Sequence, residues 1–453
     1  MFLQQSKKNN SMVEANLKII NELKLVLEEV SNNVELKSLF VDNPESFSRN
    51  RKLTLEKIVG IIINMPKRSL SIEINDFFNL LNDSKPATKG AFSLQRGKLL
   101  PVFFQVWNAW LVAYFYKHYG SDIKRWKGFI LLAVDGSSVN LVEKKDVIDY
   151  FGTKTNQFGS TPMARIVQTY DVLNDITVMS VISPITVSEK AIIASQLDRL
   201  YSDSITIFDR GFPGYEIMYL MQNQESSRHF VMRCKVDFNN EVRRFMRSKK
   251  TSIIIELTPT PLVVRELYKK GFIITKTTTI KVRMVKVKLS TGVTEVLLTN
   301  LYDEQEYTNE DLKFLYGLRW GIETSYGTQK NQLQLEQFSG HRVICIQQDF
   351  YASVFVSNLQ SLISKQCDEY LKEININRKH NYKINRNVSW GALKNNIVHL
   401  FFIHEPKELL IKLQHLFERS TEPIRPNRIY KRDKKIKFRR GKFRTVTNYK
   451  RAI

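Results

Sequence analysis

Paired cysteines are missing from this sequence. Cys234, Cys345 and Cys367 are its only cysteines, an odd number without ligand spacing, which excludes a disulfide framework and a zinc site. Long apolar runs are missing too. The most membrane-like stretch, Val102 to Tyr116, is interrupted by Gln105 and Asn108 and falls short of the ~20 residues that span a bilayer, so it reads as a buried helix. The first residues are polar (Gln4, Gln5, Lys7, Lys8, Asn9, Asn10) and lack the apolar core of an export signal, which with the unpaired cysteines predicts a cytoplasmic setting without membrane partners. No G-x-x-x-x-G-K-[ST] loop occurs, so no nucleotide cofactor is expected. Acid is scarce: 45 Asp and Glu face 69 Lys and Arg, a formal charge of +24. Such an excess points to a polyanion, most simply nucleic acid, because each neutralised phosphate releases counterions.

What is present suffices for several cores, with 453 residues, 43% of them hydrophobic and 11% aromatic. Residues 1–125 read as a helical N-terminal domain, with helices predicted over 13–30, 54–65, 71–81 and 99–119. Its Lys and Arg residues at 49–57 and 85–98 make it a candidate for DNA binding. Residues 126–236 and 303–367 read as two parts of one α/β core, separated by a β-rich insertion over 237–302. A C-terminal region, 368–453, ends in a basic tail. From Arg425 to Arg451 that tail sets thirteen Lys and Arg against Asp433 alone, the composition of a nucleic-acid arm or of a solubilising tail.

The core begins with an unbroken apolar run, Phe129 to Val134, that reads as a buried strand ending in Asp135-Gly136. Runs over 166–172 and 176–182 follow, joined by a Leu173-Asn174-Asp175 turn. Ser188 is an N-cap for a helix to about Tyr201. Ile205 and Ile207 then alternate with polar or half-exposed neighbours in a strand ending at Asp209. A helix over 215–222 and a strand over 229–235 complete the series. Strand, strand, strand, helix, strand, helix, strand is the ribonuclease H-like order. In such a sheet the first and fourth strands lie side by side, which makes Asp135 and Asp209 neighbours. In the insertion, strands are expected over 252–257, 262–267, 271–280, 280–289 and 293–301, with a turn at Ser290-Thr291-Gly292. A phase change between Met284 and Val285 suggests a β-bulge.

Beyond the insertion, Tyr316, Arg319, Glu323 and Lys330 fall within an arc of about 60° on an α-helix. Leu315, Leu318, Ile322, Tyr326 and Leu333 form an apolar band beside them. Taken alone, the polar row reads first as the solvated margin of an amphipathic helix. Two strand-end aspartates and a helix glutamate give it a chemical reading: Asp135, Asp209 and Glu323 are hard oxygen ligands, and two Mg²⁺ ions held by such a set serve phosphodiester hydrolysis or transfer. Asp171, Asp175 and Glu336 are further acids in less suggestive settings. His229 and His341 stand isolated and read as structural.

Over residues 126–365 the chain resembles the DDE transposases of bacterial insertion sequences that carry the Y-R-E-K signature, the IS-four type. Asp135 in VDGSS, Asp209 in FDRGF and the Tyr316, Arg319, Glu323, Lys330 spacing match its three motif blocks. The resemblance implies a ribonuclease H-like catalytic core interrupted by the insertion, and two divalent ions, Mg²⁺ or Mn²⁺, on Asp135, Asp209 and Glu323. Tyr316, Arg319 and Lys330 would hold DNA phosphates. The implied activity is metal-dependent strand cleavage and strand transfer on terminal inverted repeats and target DNA, by a homodimer on DNA. One feature departs from family members that stack a flipped base on a tryptophan of the insertion: residues 237–302 contain no Trp. Two other readings use the same residues, a structure-selective DNA nuclease and a catalytically silent, transposase-derived DNA-binding protein.

Overall fold

The computed structural model describes residues 2–425 apart from 50, 65–66, 158, 224–227, 290–291 and 403–404. The basic tail beyond Arg425, and Ser290 and Thr291 of the expected hairpin turn, lie outside the described residues. Among the described residues the elements run α1 (Phe2–Asn32), α2 (Val34–Ser38), α3 (Leu55–Ile63), α4 (Leu70–Leu80), α5 (Lys89–Arg96), α6 (Val102–Tyr119), β1 (Ile130–Asn140), α7 (Lys145–Phe151), β2 (Thr153–Asn156), β3 (Gly159–Asp171), β4 (Ile176–Pro184), α8 (Glu189–Ala194), β5 (Ser204–Phe208), α9 (Tyr215–Gln222) and β6 (His229–Cys234). They continue with α10 (Asn240–Arg247), β7 (Ser252–Leu257), α11 (Pro261–Lys269), β8 (Ile280–Lys288), β9 (Thr294–Thr299), α12 (Asn309–Leu318), α13 (Trp320–Asn331), α14 (Val343–Ser364), α15 (Asp368–Ile376), β10 (Tyr382–Ile384), α16 (Arg386–Phe402), α17 (Pro406–Arg419) and β11 (Thr421–Pro423).

Two units divide the chain. The first holds residues 1–123, 139–164 and 327–453. Its core is helical: α6 lays Phe103, Trp107, Leu111 and Phe115 inward, and the Trp107 ring stacks on Phe355 of α14 with centroids 4.0 Å apart. Asn16 of α1 donates to the Gln366 side chain at 3.0 Å. The N-terminal helices therefore share one core with the helices after 343, which the sequence places in separate regions. Among the described residues no helix is long and apolar enough to cross a membrane. Cys234, Cys345 and Cys367 are all free and buried.

The second unit, residues 124–138 and 165–326, is built on a mixed sheet in the order β4-β3-β1-β5-β6-β9-β8-β7. β1, β5 and β6 are parallel, and the first five strands of that order reproduce the ribonuclease H-like arrangement. The hairpin at 173–175 forms because the Asp171 side chain accepts from the backbone of Leu173 and Asn174, while Asp175 takes the left-handed conformation with φ 57°. β9, β8 and β7 extend the same sheet antiparallel from β6.

Several local expectations are corrected. β1 does not end at Asp135 but runs to Asn140. The helix from Ser188 stops at Ala194. All five residues of β5 are buried, so the strand has no exposed face. Residues 262–267 are not a strand: Thr260 caps and Pro261 opens α11, fixing helical φ ahead of the apolar run. Residues 272–279 form no strand after Gly271, which sits at φ 85°. No bulge interrupts β8 at Met284 and Val285, which pair in continuous register on both sides; the phase change reflects burial of 282–285 on both faces.

Candidate active site

The site starts from strand pairing. β1 and β5 are registered from Ile130 with Ser204 to Val134 with Phe208, so the next residues, Asp135 and Asp209, leave the paired segment together at its carboxyl end. Asp135 is held from two directions. The Tyr326 hydroxyl donates to its backbone carbonyl at 2.8 Å, and its own carboxylate accepts from the Gly136 N–H at 2.9 Å. Gly136 leaves room for the carboxyl group of Glu189, which the Arg165 guanidinium holds at 2.5 Å and which a Cβ at this position would push aside. Sequence reasoning missed Glu189, Arg165 and Tyr326. Its signal for Glu189, the residue after an N-cap serine, marks only a helix start.

The third acid comes from α13. A capping box, Thr308 with Asp311, starts α12, which ends at Leu318. Arg319 lies between α12 and α13 in a tightened turn, where its N–H reaches the Tyr316 carbonyl and its carbonyl accepts from Ile322. The single helix expected over Tyr316 to Lys330 is thus two helices linked at Arg319. Leu315, Ile322 and Tyr326 are buried as the apolar band predicts. Tyr316 Oη donates to Asp209 Oδ1 at 3.0 Å. Arg319 Nη2 binds Glu323 Oε1 at 2.7 Å, while Nη1 stands 3.8 Å from Asp135 Oδ2. The Arg319 side chain is 4% exposed, and its Nε and Nη1 have no hydrogen-bond partner. Lys330 continues α13 to seven residues beyond Glu323 and falls in the first unit.

These placements set the electrostatics. Burial pushes the Asp135 carboxyl up to about 6, and the charges of Asp209 and Glu323 add to the rise, against the Gly136 N–H and Arg319. Asp135, Asp209 and Glu323 therefore share one electrostatic neighbourhood. Burial and the Asp209 charge push the Tyr316 phenol up to about 12, so it stays a neutral donor. Burial opposes the charge on Arg319, yet Glu323, Tyr316 and Asp209 hold it above the usual range. Among the described residues no three acidic, histidine or cysteine side chains stand close enough together to hold an ion as they are. The donor chemistry nevertheless fits a divalent cation. The three acids are hard oxygen donors, and the positive charge already between Asp135 and Glu323 is a guanidinium. The other candidate acids are occupied structurally: Asp171 caps the 173–174 turn, Asp175 accepts from Tyr170, and Glu336 accepts from Asn140.

Fold and site together define an α/β protein in which two parallel strands present an aspartate each, just past their paired segment, beside a helix glutamate. A match to the model of the transposase DDE domain covers residues 126–359, and the chain belongs to that family. Divalent metal is used by DDE domains in general. Over 110 residues, 24% of this chain, the sequence is 26% identical to a protein of Escherichia coli (strain K12) described as transposase InsZ, and the match spans 37% of that protein's length. The structure is also similar to a piggyBac transposase in a synaptic complex with hairpin DNA, at 11% identity and a TM-score of 0.40, covering 87% of this chain and 81% of the other. That score is below the level that marks a shared fold.

Proposed function

We propose that this protein is a DNA transposase of the Y-R-E-K, IS-four type, cleaving at the terminal inverted repeats of its element and joining the freed ends to target DNA. The observation that carries the reading is that Asp135 and Asp209 directly follow the last registered pair of two adjacent parallel strands, with Arg319 linking Asp135 to Glu323. Asp135, Asp209 and Glu323 would hold the divalent metal, Mg²⁺ or Mn²⁺ as two ions, which supplies activation of the attacking hydroxyl and stabilisation of the leaving oxygen. The protein's own groups supply position and charge. Tyr316 as a neutral donor, with Arg319 and Lys330 as cations, hold phosphate oxygens at the element's end and fix the scissile bond for in-line attack. In hydrolysis a water oxygen forms a P–O bond as the bond from phosphorus to the 3′ oxygen breaks, leaving a 3′-OH on the element and a 5′-phosphate on the flanking DNA. In transfer that hydroxyl attacks a target phosphodiester, one P–O bond forming as another breaks, so no nucleotide is needed. Two ends moved in one event call for a homodimer on DNA, in a cytoplasmic, DNA-associated setting.

The test is cleavage and joining of DNA carrying the flanking ends of the encoding gene, with the wild type beside Asp135→Ala, Asp209→Ala and Glu323→Ala. The wild type is expected to cut and to join 3′-OH ends to a plasmid only with Mg²⁺ or Mn²⁺, and the three variants to do neither. Cutting without joining would identify a nuclease. Binding without cutting, unchanged in all three variants, would identify a silent DNA-binding protein.

A further inference from the structure

We infer that Arg319 is an internal counter-ion that competes with the divalent metal for Asp135 and Glu323 and moves to a DNA phosphate as the metal enters. The inference rests on the metal-site reading above and assigns Arg319 a second task within it. Three observations converge. The guanidinium lies between two of the three acids, 2.7 Å from Glu323 and 3.8 Å from Asp135, in a place where a cation binding both carboxylates would have to stand. The guanidinium is 4% exposed while Asp135 and Glu323 keep 20% and 36% of their side-chain surface open, so the acids can be reached from outside but a cation bridging the two meets the charge already between them. Two donors of its fork, Nε and Nη1, have no hydrogen-bond partner, so the present arrangement leaves the group under-satisfied. A phosphate accepts two parallel N–H bonds from such a fork, which a single carboxylate oxygen on Nη2 does not use. Tyr316 and Trp320 rings flank the guanidinium at 5.7 and 5.6 Å, and Trp320 is largely exposed, which marks the side on which the group can turn outward.

The consequence is a linkage. Without DNA, the metal must displace a bound positive charge and binds weakly. With a phosphate to receive Arg319, the carboxylates are released and metal affinity rises, and by reciprocity metal strengthens the grip on DNA. Metal loading is thereby tied to the presence of substrate.

The experiment uses the full chain and Mn²⁺, titrated by the electron paramagnetic resonance signal of the free ion in the absence of DNA. Arg319→Gln is expected to bind Mn²⁺ about tenfold more tightly than the wild type, the effect of removing one charge-assisted contact. Arg319→Lys, whose single nitrogen cannot serve both acids, is expected to gain about threefold, and it carries the test should the glutamine variant fail to fold. Affinity for a short labelled duplex that already terminates at the element's free 3′-OH, and so has no bond left to cut, supplies the second arm. There Arg319→Gln should lose affinity about tenfold with Mn²⁺ present and hardly at all without it. A variant that folds and binds Mn²⁺ no better than the wild type overturns the inference. Failure of the metal-site reading itself looks different: Asp135→Ala would then bind Mn²⁺ just as the wild type does.

Discussion

Asp135 sits where burial and two like charges oppose its ionisation, and this has a measurable effect on stability. Its carboxyl is pushed up to about 6 in the folded chain from an ordinary value of 3.8. Below the lower value both states are protonated and the residue is neutral in the balance. Above about 6 both are ionised, and the folded state alone carries the penalty, so stability falls as pH rises through this window. Asp135→Asn removes the ionisation. In chelator at pH 8 it is expected to stabilise the chain by on the order of 2 kcal/mol, shrinking toward zero at pH 4. Thermal unfolding at the two pH values measures this, and an equal effect at both would show that the carboxylate is not strained. At this scale the sequence was most legible where spacing carries information. An aspartate closing an apolar run and the Tyr, Arg, Glu series can be picked out along the chain, and the fold brings Asp135, Asp209 and Glu323 into one electrostatic neighbourhood. Glu189 cannot be picked out in this way, because only the fold lays its carboxyl group over Gly136.

Elements were legible to the degree that their pattern had a single physical cause. The apolar band of 315–326 is buried as helical periodicity demands, yet the turn at Arg319 was hidden, since a tightened turn preserves most of that periodicity. Residues 262–267 carry β-branched and apolar side chains suited to a strand, but the preceding Thr260-Pro261 cap outweighed them. Some elements are positioned by contacts that no local pattern reports. Arg96, at the end of α5, is fully buried and donates to Gln348 at 2.6 Å, Ser339 at 2.5 Å, Asp349 at 2.8 Å and the Cys345 carbonyl at 3.0 Å. Those partners lie on α14 and the loop before it, so one side chain pins α5 to the start of a helix about 250 positions away. Arg96→Ala leaves several polar groups without a partner in the core and is expected to cost about 3–5 kcal/mol. Denaturant unfolding reads the loss directly, and a cost below about 1 kcal/mol would mean that water replaces the guanidinium at this point.

Across the whole chain, strand order was readable because alternation of strands and helices constrains a right-handed parallel sheet to few topologies. The grouping of the N-terminal helices with those after 343 was not readable. It rests on contacts such as Asn16 with Gln366 and Trp107 with Phe355, which are separated by hundreds of residues. Net charge acts at this scale as well. Residues 426–453 hold twelve Lys and Arg against Asp433, close to half of the formal charge of +24. If that charge meets DNA, a chain ending at Arg425 should bind a duplex more weakly at low salt. The slope of log affinity against log salt concentration should then fall by about 0.9 for every phosphate the tail neutralises. Cleavage at saturating DNA should be unchanged, since Asp135, Asp209 and Glu323 are retained. An unaltered slope would identify the tail as a solubilising segment and move the DNA-binding charge to the basic residues at 49–57 and 85–98.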